Sequence, residues 1–284
     1  MTTRSASGDR LRPTAPRRST LVPIQPSGSR TAFYGVPGVD GNVYLYVRLA
    51  RELGPSQPFY AFEPPGVDGN EPPMRSIEAL AARYLADLQA VQSEGPYFIG
   101  GFCIGGIVAF ELARQLTNSG QDVALLALFE TPSPSGLTRW GRTLGTIRYK
   151  RDVWPARLRW LASQSWPQRI SFVRSRLSRL SGRRSPDRGW HEQPMVRATY
   201  QAVHAYVRGV RTYPGRIVLF LGSPALRRAI YWRQLDWAHV ATGGFEVRTG
   251  IDGCTDTPMM LGDPAHVRAL ADLLRPYLSH LPPR

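Results

Sequence analysis

The chain has 284 residues and a 42% hydrophobic fraction, which suits one folded α/β domain with an inserted segment and indicates neither a disordered nor a membrane class. No apolar run approaches the ~18 residues of a transmembrane helix, so no membrane partner is expected. The formal net charge of +15 favours acidic partners, but Lys150 is the only lysine among the basic residues and no nucleic-acid motif accompanies the charge. Nucleic acid is therefore not an expected ligand.

Residues 1–20 are rich in Arg, Ser, Thr and Pro and lack the apolar centre of a secretory signal, so they read as a disordered basic tail. Residues 21–284 read as one domain. Strands are predicted at 21–24, 32–36, 59–62, 97–102, 123–129, 217–221 and 245–248, several of them continuous apolar runs of the kind buried on both faces. Helical patterns alternate with them. Ser76 is a good N-cap, and Ile77, Leu80, Tyr84, Leu85, Leu88 and Val91 repeat on one helical face. A second helix follows Cys103 and stops near Gly120; a last one runs over 264–278. This alternation predicts a doubly wound, mainly parallel sheet.

The interval from 129 to 217 breaks the pattern. It holds Trp140, Trp154, Trp160, Trp166 and Trp190 among many arginines, and a longer helix near 195–207. A helical lid over about 131–193 is expected. Within 139–188 the only acids are Asp152 and Asp187, which gives that segment a strongly positive field, or simply a solvated basic face. Two cysteines, Cys103 and Cys254, are too few for a disulfide framework and suit a reducing cytoplasm.

The segment Gly101-Phe102-Cys103-Ile104-Gly105-Gly106 follows a predicted strand and opens a predicted helix. That is a nucleophile elbow with Cys in the usual Ser position. Small residues two before and two after the nucleophile are required because the turn is tight and its backbone strained. The helix N-terminus lowers a thiol pKa, and the amide of Ile104 can donate to an oxyanion. No metal-ligand spacing is present.

The elbow, together with Gly35–Asn42, Tyr60–Gly66, Gly95–Gly100, Val108–Leu116 and Tyr213–Arg216, resembles the thioesterase domains of nonribosomal peptide and polyketide synthases and their stand-alone relatives, over roughly 21–278. The resemblance implies an α/β-hydrolase fold and no cofactor of its own. It also implies an acyl thioester substrate carried on the phosphopantetheine of an acyl or peptidyl carrier protein. It places a second oxyanion donor at the amide of Val39 and the acid of a triad at Glu130. The family's histidine falls on Thr255, and His266 matches a later histidine that opens the final helix. His266 is thus a candidate base only if the loop is rearranged. Cys103 without a well-placed base favours acyl transfer or cyclisation over hydrolysis, since a thiol needs less activation than water. The alternative is a thioesterase-like binding module that has lost its base.

Overall fold

A computed structural model describes residues 18–133, 166, 193–209, 211–222, 237–251, 254 and 257–279. Seven strands form one sheet: β1 (Leu21–Gln25), β2 (Phe33–Val36), β3 (Phe59–Phe62), β4 (Tyr97–Phe102), β5 (Val123–Phe129), β6 (Ile217–Leu221) and β7 (Phe245–Thr249). Their spatial order is β1-β3-β2-β4-β5-β6-β7. Only β1 runs antiparallel, against β3; the remaining neighbours are parallel. All seven strands lie where the sequence pattern predicts them, within a residue or so at their ends.

Side chains along the central strands alternate between two apolar layers, as the two-residue repeat of a strand requires. On β5, Leu126 and Leu128 join one layer while Leu125, Ala127 and Phe129 join the other. β6 repeats this, with Ile217, Leu219 and Leu221 against Val218 and Phe220. Each fully buried Leu or Phe contributes about 1.5–3 kcal/mol.

Among the described residues six helices cover the sheet: α1 (Val47–Leu53), α2 (Ile77–Val91), α3 (Gly105–Asn118), α4 (Pro194–Tyr206), α5 (Thr257–Gly262) and α6 (Pro264–Ser279). The first layer is closed by α2, α3 and α4, the second by α1, α5 and α6. Ser76 caps α2 by accepting from the Ala79 amide, and Ile77, Leu80, Tyr84 and Leu88 are buried as the periodicity predicts. Val91, expected inward, is 54% exposed, because the helix ends there and Gln92 turns the chain into extended conformation. The sequence pattern predicts neither α1 nor α5; both are too short to display a helical repeat.

The predicted tail and lid fall largely outside the described residues. Of the tail, Arg18 pairs with Glu63 and Asp68, and Thr20 is buried with its amide and hydroxyl both donating to Asp87 at 2.7 Å. These contacts hold residues 18–20, the described end of the predicted tail, against the domain. At the start of the predicted lid, Thr131 and Ser133 are buried at the end of β5.

Candidate active site

Strand order reverses between β2 and β4: β3 lies on one side of β2, and the chain then crosses to place β4 on the other. In such sheets the crevice beyond the strand C-termini at the reversal is where ligands bind. Here the loop after β2 and the turn after β4 meet at that crevice. A cleft of about 490 Å³ opens there, lined by Val39, Phe102 and Cys103 together with Asp40, Tyr44, Arg48 and Gly262.

Cys103 has φ of 53°, a left-handed conformation that costs a non-glycine residue energy and is kept only when its surroundings hold it. Its amide donates to the Phe129 carbonyl at 2.8 Å, and its carbonyl accepts from Gly106 at 3.1 Å. The flanking glycines are needed for close approach. A β-carbon at Gly101 would lie 2.5 Å from Gly106 Cα, and one at Gly105 would lie 1.9 Å from the Pro37 carbonyl oxygen. The elbow is therefore wedged against both its own helix and the neighbouring loop. Ile104, next in the chain, has helical φ and ψ and precedes the first residue of α3.

The loop carrying Val39 is fixed from below. Gly41 closes a turn onto Gly38 with φ of 71°, and Asn42 accepts from the Tyr44 amide to start a short 3-10 turn over Val43–Tyr46. Tyr46 is fully buried and its hydroxyl donates to the Val36 carbonyl at 2.6 Å. Burial pushes the Tyr46 phenol pKa well up, so it remains a donor. Across the mouth, Arg48 donates to the Gly262 carbonyl at 3.3 Å and ties α1 to the end of α5.

Glu130 ends β5 with φ of 49°, its amide donating to the Phe220 carbonyl at 3.0 Å. The side chain is 3% exposed, and Oε1 accepts from the Gly222 amide at 2.5 Å. A β-carbon at Gly222 would meet Cys254 Sγ at 2.8 Å and Glu130 Oε1 at 3.0 Å. The chain after β7 thus returns past the acid at Cys254, one residue before Thr255. Thr255 and Asp256 themselves lie outside the described residues. His266 is in the first turn of α6, 7% exposed, with Nδ1 3.9 Å from Asp263 Oδ1. Its own amide donates to that same carboxylate at 3.3 Å. The structure accordingly gathers Cys103 and Val39 on one cleft and Glu130 at the next strand end, while His266 is not among the cleft-lining residues.

Sequence reasoning does not single out Tyr200, whose electrostatics involve the thiol. Tyr200 on α4 is half-buried, and its phenol pKa is raised by burial first and then by the charge of Cys103. The readable signal was its spacing, four residues after Val196 and three before Val203 on one helical face.

Among the described residues no helix is long and apolar enough to cross a membrane, and no group of three or more His, Cys, Asp and Glu is placed to hold a metal.

Comparison with known proteins agrees with this arrangement. A family model described as "Thioesterase domain" matches residues 33–254. Atromentin synthetase of Tapinella panuoides is 37% identical over 113 residues, 39% of this chain and 12% of that protein. The chain therefore spans about an eighth of the length of that relative. Among solved structures, the type II thioesterase BorB from the borrelidin biosynthetic cluster aligns with a TM-score of 0.62 at 21% identity, over 93% of this chain and 100% of that one. The NocB thioesterase domain from the nocardicin cluster aligns with a TM-score of 0.60 at 20% identity, again over 93% and 100%. With a strained elbow at the sheet's reversal point and a family match over most of its length, the chain belongs to the thioesterase domain family, with an α/β-hydrolase fold.

Proposed function

We propose that this thioesterase domain forms an acyl-enzyme on Cys103, taking the acyl group from a phosphopantetheine thioester on an acyl or peptidyl carrier protein. The single observation behind this is the left-handed Cys103 lining the cleft, just before the N-terminus of α3. Domains of this family act without a cofactor, on a substrate that a partner's phosphopantetheine carries. The relatives named as synthetases make nonribosomal peptide-type or related biosynthesis the setting.

In the first step the Cys103 sulfur attacks the thioester carbon. A new C–S bond forms, the bond to the pantetheine sulfur breaks, and the departing thiolate takes up the proton that Cys103 gave up. The Val39 and Ile104 amides hold the oxygen of the tetrahedral intermediate, where preorganised donors contribute most. Exchange of one thioester for another is close to isoenergetic, so this step requires little from a base.

The second step transfers the acyl group to water, to an amine or thiol, or to a nucleophile within the chain itself. Glu130 is the candidate acid for orienting a base, and His266 the candidate base. Thr255, standing where the family carries histidine, favours transfer or cyclisation over hydrolysis. That same residue supports a second reading, a domain that binds acyl carriers without turnover. The arginine-rich 139–188 segment suits an acidic carrier, and a thiol nucleophile suits the reducing cytoplasm.

Intact-mass analysis of the full chain after mixing with acyl-pantetheine thioesters tests this, with Cys103→Ala alongside. A stable adduct lost in Cys103→Ala supports the acyl-enzyme and a waiting acceptor. Rapid release of free acid, also lost in Cys103→Ala, supports the acyl-enzyme with water as acceptor. Absence of an adduct and of free acid across varied acyl groups overturns the enzyme reading in favour of the binding module.

A further inference from the structure

We propose that Arg48 forms an anion subsite on the Cys103 cleft and takes a phosphate or carboxylate group carried by the acyl thioester. The inference rests on the reading of Cys103 as nucleophile, and it names a second group that the substrate must present.

Arg48 and Cys103 line the same cleft. Leu45, Phe102 and Leu261 give that cleft apolar walls, and among its described lining residues Arg48 and Asp40 are the charged side chains. A mostly apolar cleft with a single cation suits a ligand that is uncharged over most of its length and anionic at one point.

The guanidinium is held in place but little used. Leu49 and Ala50, which follow it on α1, are buried in the second apolar layer, while Arg48 itself is exposed on the cleft. One nitrogen donates to the Gly262 carbonyl at 3.3 Å, and Gly262 lines the cleft as well. A β-carbon at Gly262 would meet nothing within 4 Å, so there is open space beside that contact. A guanidinium has five N–H donors in a planar fork, and the carbonyl occupies one. The others can make the paired contact that arginine forms with phosphate or carboxylate oxygens.

The acids beside the cleft are engaged by their own loops. Asp40 Oδ1 accepts from the Asn42 amide at 3.4 Å. Asp263 Oδ1 accepts from the Ala265 and His266 amides at 2.8 Å and 3.3 Å, which turns it into the first turn of α6. The charge of Arg48 helps to hold the Asp263 carboxyl below its ordinary value, but it ranks behind those two hydrogen bonds. Asp40 offsets the charge of Arg48 at longer range, so an anion gains from direct contact with the guanidinium and not from the field of the cleft as a whole. Two parts of the proposed substrate carry such a group: the phosphate of the pantetheine arm, and a carboxylate on the acyl chain.

The test measures binding without chemistry, in the full chain carrying Cys103→Ala, by NMR titration at low salt. Three probes are compared: hexanoyl-pantetheine, which is neutral; hexanoyl-4′-phosphopantetheine, which adds the phosphate; and adipoyl-pantetheine, which ends its acyl chain in a carboxylate. One anionic probe is expected to bind about tenfold more tightly than the neutral one. Adding Arg48→Gln, whose amide can still donate to the Gly262 carbonyl, should abolish that advantage and leave the neutral probe unchanged. Arg48→Lys should keep part of it, as a charge without the fork. Loss of the advantage for the phosphorylated probe assigns the subsite to the carrier arm; loss for the adipoyl probe assigns it to an acidic acyl group. The proposal is overturned if neither anionic probe is preferred, if the preference survives Arg48→Gln, or if Arg48→Gln weakens all three probes equally. Intact mass of the protein with Cys103 in place keeps the two readings apart. An anion preference without any acyl adduct leaves the Arg48 subsite standing and removes the acyl-enzyme; an adduct without an anion preference does the reverse.

Discussion

Cys103 and Glu130 end adjacent parallel strands with the same backbone device. Each is a non-glycine residue in left-handed conformation, with φ of 53° and 49°. Each donates its amide to a carbonyl near the C-terminal end of the next strand over, Cys103 to Phe129 and Glu130 to Phe220. Their side chains then part company. Cys103 is half-exposed on the cleft, while Glu130 is 3% exposed and held by the Gly222 amide. The difference teaches that one strained turn can serve either to present a side chain to a substrate or to bury one where it can orient other groups. What decides is the glycine pattern beyond the turn. Gly105 lets the elbow lean against Pro37 and hold the cleft open, whereas Thr131 and Ser133 after Glu130 are buried and close the strand end over.

The largest expected effect comes from removing the space that the elbow needs. Gly105→Ala places a β-carbon 1.9 Å from a backbone carbonyl oxygen, which no side-chain movement can relieve. It is expected to cost about 3 kcal/mol or more, at or beyond the upper end of overpacking, and to abolish adduct formation on Cys103. Gly262→Ala is the matched control on the same cleft, since a β-carbon there meets nothing within 4 Å. Urea unfolding of both variants checks the contrast, and equal midpoints would break it.

The elbow was legible in the sequence because its requirements are local: a strand, two glycines at fixed offsets and a helix, all within one short segment. The seven strands were legible for a related reason. A strand buried on both faces must be apolar throughout, and β4, β5 and β6 are. The acid side of the site was legible only through a family resemblance. Nothing near Glu130 reveals that Gly222 and Cys254 will meet it, because those contacts join segments about 90 and 120 residues away and depend on strand order. Tyr200 was illegible for the same reason. Its spacing predicts an inward face, but which residue lies opposite is fixed by how α4 docks on α3. Val91 shows the converse limit, since periodicity cannot tell where the core that a helix covers comes to an end.

An intermediate effect is expected from Glu130. In Glu130→Ala the buried Gly222 amide loses its acceptor, a loss of about 1–3 kcal/mol. Glu130→Gln keeps an acceptor oxygen and should cost less than about 1 kcal/mol. If Glu130 orients groups rather than reacting, both variants still acylate Cys103 and both release the acyl group more slowly than wild type. Urea midpoints and the lifetime of the mass adduct separate the two parts. A Glu130→Gln variant with wild-type adduct lifetime would leave Glu130 a purely structural acid, and the comparison with Cys103 would reduce to backbone shape.

The smallest effect, about 1 kcal/mol, belongs to a second buried carboxylate, Glu111 on α3. It is 1% exposed and receives Arg114 Nε at 2.9 Å, Gln115 Nε2 at 2.9 Å and Tyr206 OH at 2.7 Å. Burial pushes its pKa up, but the hydrogen bonds from Arg114, Gln115 and Tyr206 outweigh it and hold the carboxyl below its ordinary value of 4.5. A depressed folded pKa means that the stabilisation is fully present above the ordinary value and is lost as pH falls through the lowered one. Glu111→Gln keeps the acceptor for Tyr206 and removes the charge. It should therefore be less stable than wild type at neutral pH, and the gap should close as the pH drops below 4.5. Urea midpoints of the two proteins across that range check the sign.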